Sequence, residues 1–247
     1  MLPIFRKEIA GFFSSFTGYM VIIVFLLINS LFMWVFPGEW NILDSGYAGL
    51  ETLFFLSPWV FLFLVPAVTM KMFAEEKRTG TIELIYSKPV TERGIVYGKF
   101  LASVVLILLA LLPGIIYYFS VYALGETPGN LDKGGTWGAF TGLFFLASVY
   151  VAAGLFSSSV TDNQVVAFIL AVLLCFFLFA GFDSIAYLPG VKKFDEFVIR
   201  LGINEHYKSI SRGVIDIRDI SYFAALVIIL NEATVLVLIS RFWKKRS

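Results

Sequence analysis

The chain has 247 residues, of which 59% are hydrophobic and only 15% charged, and its formal net charge is +1. A soluble domain usually carries about 25% charged residues on a wetted surface, so this composition excludes an ordinary soluble globular protein. It also excludes the clustered basic face of a nucleic-acid-binding protein. One cysteine, Cys175, excludes an internal disulfide and a cysteine-cluster metal site. The one histidine, His206, is expected at the surface, so no metal site is predicted.

Six apolar stretches predict membrane-spanning helices, because roughly 20 apolar residues in a helix cross the hydrocarbon core. They lie at residues 19–36, 52–70, 100–124, 137–156, 165–182 and 222–243. The first follows Arg6 and Lys7, as in a signal peptide, but it is longer than a signal's apolar region and no small-residue cleavage site follows it. The predicted fold class is an all-α polytopic membrane protein, with residues 1–247 as one transmembrane domain.

The distribution of Lys and Arg predicts the orientation of these spans. With the N-terminus inside, the inner segments hold twelve Lys and Arg residues, whereas the outer loops 37–51 and 125–136 hold only Lys133. The outer segment 183–221 holds six, balanced by six acids. Both termini are therefore predicted to lie in the cytoplasm.

Residues 1–17 predict a helix that lies flat in the headgroup region, the alternative being a plain cytoplasmic tail. Its apolar residues recur at spacings of three and four and so share one helical face: Leu2, Phe5, Ile9, Phe12 and Phe16.

The outer segment 183–221 contains a second amphipathic pattern. Phe194, Phe197, Val198 and Leu201 follow helical spacing, and Gly202 stands where a C-terminal helix cap belongs. We therefore expect a short outer helix that dips into the outer leaflet.

The segment 71–99 between spans two and three is too long and too charged for a minimal connector. Gly80 is expected to end a continuation of the second span, and Thr81 to cap a short helix that Pro89 terminates. Thr91 is expected to cap the next helix. A short transverse helix between two spans is suited to docking into a groove on a soluble partner.

The same segment resembles the membrane subunits of ABC-2-type transporters. The resemblance is carried by the run EEKRTGTIEL at 75–84, by Lys-Pro-Val at 88–90 and by Gly-Lys at 98–99, and it continues at 211–219, which is similar to the family's outer loop before the last span. In that family the segment is the coupling helix that contacts the ATP-binding subunit. The resemblance implies a coupling set of Glu75, Glu76, Lys77, Gly80, Thr81, Ile82, Glu83, Ile85 and Pro89.

Within this set, the resemblance gives each kind of residue a role. Glu83 is expected to make charged contacts with the ATPase, while Ile82 and Ile85 fill an apolar groove on it. The resemblance also implies a second permease subunit, identical or different, because one subunit supplies only half of a translocation path.

Two further stretches, 36–43 and 66–70, resemble the GldF-type gliding-motility permeases of Bacteroidetes-type bacteria. Related NosY-type permeases of copper-site assembly share much of the pattern. The gliding-type resemblance implies a bacterial inner membrane with contacts to lipid, an ABC ATPase similar to GldA and an auxiliary membrane protein similar to GldG.

No catalytic role is predicted for the chain itself. The run 94–100 mimics a phosphate loop, but it has three residues instead of four between its glycines and Phe100 after Lys99. No span carries paired acids, a Ser–His pair or a metal set. ATP and Mg²⁺ are therefore expected on the partner, with no cofactor here. The open alternatives are an exporter and a mechanotransmitter or assembly factor that passes ATPase motion to envelope proteins.

Span six contains an acid that is costly in hydrocarbon, Glu232, next to Asn231. No cation lies within a span to pair it, so we expect a neutral, hydrogen-bonded group, with Asn29 of span one as a candidate partner. The two interpretations are a structural hydrogen-bonding group and a site for protons or substrate.

Overall fold

The computed structural model describes residues 1–87, 89–125, 130–187 and 195–244, and every regular element within those ranges is a helix. Six helical stretches are long and apolar enough to span a membrane: Gly18–Val35, Glu51–Arg78, Glu92–Leu124, Lys133–Val160, Gln164–Ala186 and Ile217–Ser240. The all-α polytopic class and the six predicted spans are confirmed.

The helices are numbered in chain order. The first seven are α1 Leu2–Ser14, α2 Phe16–Ser30, α3 Ile42–Ser45, α4 Glu51–Thr69, α5 Lys71–Arg78, α6 Ile82–Tyr86 and α7 Glu92–Leu111. The others in the described ranges are α8 Ile115–Leu124, α9 Lys133–Val160, α10 Gln164–Phe176, α11 Phe182–Ala186, α12 Asp195–Arg200, α13 Ile203–Ser211 and α14 Ile217–Lys244. The short 3₁₀ turn Leu112–Gly114 joins α7 to α8 around Pro113, which cannot donate a helical hydrogen bond.

Helix α9 lies at the centre of the bundle and packs against α4, α7, α10, α13 and α14. Glycines bring its neighbours close at both ends. A Cβ on Gly154 would collide with the Thr69 hydroxyl of α4, and a Cβ on Gly138 would collide with the Ile210 carbonyl of α13. Such small residues let helix backbones approach each other inside a membrane.

Helix α1 forms within the predicted residues 1–17 and packs along α7. Ile4 is buried against Gly98, and Phe12 is buried further along the helix. The predicted apolar face holds only in part, because Leu2 is exposed, the buried Ile4 lies outside that face, and Phe16 belongs to α2. The face that contacts α7 is rotated from the face that periodicity selects.

The outer segment differs from the prediction. Gly202 has φ −81° and precedes α13, so it is the N-terminal boundary of a helix and not a left-handed C-terminal cap. Phe197 of α12 is exposed, and Phe194 lies outside the described residues. The helix that packs on the bundle is α13, through the residues Ile203, Tyr207 and Ile210.

Candidate functional site

A short helix, α6, stands at one end of the bundle between the second and third spans. Gly80 ends α5 with a positive φ of 71°, which favours glycine, and Thr91 caps α7 by accepting a hydrogen bond from the Gly94 amide at 3.2 Å. The predicted cap at Thr81 is wrong. Thr81 precedes α6, but its hydroxyl bonds the Thr79 hydroxyl at 2.9 Å, because its backbone is already helical and holds the side chain away from the α6 amides.

The exposed face of α6 carries Glu83 and Leu84, and the Leu84 side chain is 66% exposed. Ile82 and Ile85 are only 9% and 8% exposed, because they face the bundle. The prediction that these two residues fill a groove on a partner is therefore wrong. Leu84 was missed, although helical spacing places it on the side opposite to the two isoleucines.

The other residues of the predicted coupling set are either exposed or in contact with the rest of the chain. Gly80, Thr81 and Pro89 are exposed beside α6. Glu75 is half-buried, and Lys77 donates a hydrogen bond to the Ser159 carbonyl.

Glu76 is buried within the chain, so its assignment as a contact for the ATPase is corrected. Its Oε1 atom accepts from Lys99 Nζ at 2.9 Å and from Lys7 Nζ at 2.7 Å. Lys99 Nζ also lies 2.7 Å from Glu8 Oε1, and the Lys99 side chain is 1% exposed. Two acids and two lysines from α1, α5 and α7 therefore form one charge cluster. Buried ions require such partners, because an unpaired charge out of water is costly.

Lys7 of this cluster has a raised pKa and is positively charged over the physiological pH range. Burial lowers the pKa of Lys7, but its hydrogen bond to Glu76 and the charges of Glu8 and Glu76 raise it, and the net pKa lies above the ordinary 10.5. The raised pKa of Lys7 stabilises the folded state at pH values below the ordinary 10.5. This contribution is lost as the pH rises through the raised pKa.

Helix α5 is also attached to the end of α9. The Ser158 hydroxyl accepts from the backbone amides of Phe73 and Ala74, each at 3.0 Å, and donates to the Met70 carbonyl at 2.8 Å. The first amides of a helix lack partners within it, so Ser158 caps α5 from another span. These bonds of Ser158 and the hydrogen bond of Lys77 hold α5 at the end of the central helix.

Glu232 has a charged partner, contrary to expectation. Its Oε2 atom lies 3.0 Å from Arg93 Nη2, and its Oε1 atom accepts from the Tyr97 hydroxyl at 3.2 Å. Arg93 stands at the start of α7, and its long side chain reaches Glu232 from there. Asn29 donates to the Phe25 carbonyl at 2.8 Å, and within the described residues no hydrogen bond joins Asn29 or Asn231 to Glu232. The three predicted polar residues therefore do not form one site.

His206 is held between two elements and is not a free surface residue. Its Nδ1 atom lies 2.7 Å from Asp219 Oδ1 and its Nε2 atom 2.9 Å from the Arg200 carbonyl. The ring stacks on Tyr222 with centroids 3.8 Å apart. His206 thus joins α13 to α14 and to the end of α12.

Six candidate spans with a short helix exposed at one end, between spans two and three, define a polytopic membrane protein. A family model described as ABC-2 family transporter protein matches residues 55–242, which is more than half of the chain. The chain belongs to this family, whose members are membrane subunits, typically without catalytic activity, that work with an ABC ATPase as partner. No curated protein matches the chain.

Proposed function

We propose that the chain is the membrane subunit of an ABC-2-type transporter complex and that α6 docks into a separate ABC ATPase. The observation that carries this proposal is Leu84, which is 66% exposed on a helix held between two spans. Two charged residues that precede Leu84 in the sequence, Arg78 and Glu83, are also exposed. An apolar anchor with charged neighbours fits a groove that has a polar rim.

In this proposal ATP, Mg²⁺ and hydrolysis belong to the partner. Closure of the ATPases pushes on α6, and α4 and α7 on either side of it receive the motion. Two membrane subunits then open the path between them alternately to the two sides of the membrane, as a rigid-body switch. The chain itself supplies half of that path and needs a second subunit, identical or different, in the same membrane.

The docking proposal is tested by two leucines of equal exposure. Leu84 on α6 and Leu43 on α3 are both 66% exposed. Leu84→Glu is expected to abolish co-purification of the ATPase and to remove stimulation of its hydrolysis, because a carboxylate cannot enter an apolar groove without losing its water. Leu43→Glu is expected to leave both unchanged. Full ATPase association of the Leu84→Glu subunit would reject α6 as the docking element.

Gliding motility is the finer function that we propose, on the resemblance of residues 36–43 and 66–70 to GldF-type permeases. The partners would then be a GldA-like ATPase and a GldG-like membrane protein, in a bacterial inner membrane with both termini of this chain in the cytoplasm. Deletion of the chain from a gliding host should stop surface spreading, and re-expression should restore it. A deletion strain that still spreads would reject the gliding assignment and leave the docking test unaffected.

A further inference from the structure

Two sets of ion pairs flank α6 along the chain. On the entry side, Glu76 of α5 binds Lys99 of α7. On the exit side, Arg93 at the start of α7 binds Glu232 of α14. These two electrostatic joints connect the segments on either side of α6 to α7 and to α14.

The entry joint is closed to solvent. Lys99 is 1% exposed, and its ammonium group lies between Glu8 of α1 and Glu76 of α5, at 2.7 and 2.9 Å. The same ammonium lies 5.2 Å from the centre of the Phe73 ring. Pulling α5 away from α7 would separate Glu76 from the buried Lys99 ammonium, and pulling α1 away would separate Glu8 from it. Breaking such a buried ion pair is strongly unfavourable.

The exit joint is open to solvent. The Arg93 side chain is 71% exposed and the Glu232 side chain 34% exposed. Both Arg93 contacts go to one carboxylate oxygen, at 3.0 and 3.2 Å, and Tyr97 donates to the other oxygen. When this pair separates, water can replace the lost contacts of the arginine, so separation costs little.

We infer that the coupling segment works as a lever with a fixed side and a releasable side. When the ATPase moves α6, α1 and α5 stay joined to α7 through Lys99. The start of α7 separates from α14 as the pair between Arg93 and Glu232 opens. This inference rests on the proposed docking of an ATPase at α6, and it assigns Glu232 to a joint between helices and not to a substrate path.

The experiment measures two distances in the complex of full-length chain and ATPase, in lipid nanodiscs. One pair of spin labels, at Leu101 and Leu236, reports on the exit joint, and the other, at Gly11 and Leu101, reports on the entry joint. All three positions are exposed, and a side chain at Gly11 meets nothing within 4 Å. With ATP, the α7–α14 distance should lengthen by more than about 2 Å, while the α1–α7 distance stays constant.

A matched variant tests the cause of the movement. Glu232→Gln removes the carboxylate charge of the exit joint. Without ATP, the distances measured between α7 and α14 in this variant should therefore already contain a population at the longer distance. The variant Arg6→Gln removes an exposed charge of α1 at the same end of the bundle and should keep the short distance until ATP is added.

The inference would be wrong if the α7–α14 distance did not change when ATP is added. It would also be wrong if the α1–α7 distance lengthened by as much as the α7–α14 distance. If the unlabelled chain retains no ATPase at all, the docking proposal fails at co-purification, before any distance is measured, and the lever fails with it.

Discussion

Lys99 is a basic side chain that is only 1% exposed. Lys99→Met should destabilise the protein by about 3–5 kcal/mol, because it leaves the carboxylates of Glu8 and Glu76 buried near each other without the cation between them. Thermal unfolding in detergent measures this loss.

The control for Lys99 removes the whole set of charges that it binds. Lys99→Met combined with Glu8→Gln and Glu76→Gln should recover most of the lost stability, because the one charge left in the cluster, Lys7, is 55% exposed and can be solvated by water. A single variant as stable as the triple variant would show that the cluster is not held by its charges.

The variant Glu232→Gln distinguishes a structural role of Glu232 from a role in handling protons or substrate. Glu232→Gln should cost less than about 1 kcal/mol, because its partner Arg93 is largely exposed. The amide oxygen can still accept from Tyr97. Stimulation of the ATPase, normalised to the amount of protein in the membrane, should be retained. A stable variant without that stimulation would favour proton or substrate handling.

At the scale of single residues, the sequence predicts what local chemistry decides. Gly80 ends a helix through its own positive φ, and Thr91 caps a helix by accepting a hydrogen bond from the third amide of that helix. Both effects are local in the sequence. Glu76, Ile82 and Ile85 could not be predicted, because their partners come from other helices. Lys99 and Glu8 are 91 residues apart in the chain, and no pattern within one segment reveals that contact.

At the scale of helices, the close approach of α9 to α4 makes a prediction about a glycine. Gly154→Ala should destabilise the protein by about 1–3 kcal/mol, because the added methyl group collides with the Thr69 hydroxyl in a packed core. Gly11→Ala is the matched control, since that helical glycine faces open space. It should be neutral or stabilising by up to about 1 kcal/mol, because alanine favours the helix. Equal melting temperatures for the two variants would contradict the tight contact.

The spans themselves were predictable because the thickness of hydrocarbon fixes their length. The faces of the short helices were not. In a soluble protein an apolar face indicates the core, whereas in a membrane protein it can equally face lipid. Phe197 and Leu201 follow helical spacing and are exposed, and so is Leu2 of α1. Helix α13, which does bury its apolar face, has the same spacing in Ile203, Tyr207 and Ile210.

At the scale of the whole molecule, the orientation in the membrane is testable with two exposed cations. Lys208 lies in α13 at one end of the bundle and Arg78 ends α5 at the other. A cysteine replacing Lys208 should react with a membrane-impermeant thiol reagent in intact cells, and a cysteine replacing Arg78 should react only after lysis. The native Cys175 is fully buried, so the background should be low. Reaction of the Arg78→Cys chain in intact cells would show that the protein has the opposite orientation in the membrane.

The central position of α9 has a consequence for biogenesis. Of the six candidate spans it is the most buried, at 72%, and also the least apolar, whereas the fifth span is the least buried and the most apolar. A nascent α9 leaving the ribosome thus has a weaker preference for lipid than the span synthesised after it. Its retention in the bilayer is expected to depend on α4 and α7, which are made first and cover its small and polar side chains. The order of synthesis therefore suits part of the packing, because α4 and α7 are already in the membrane when α9 emerges, whereas α10, α13 and α14 follow it.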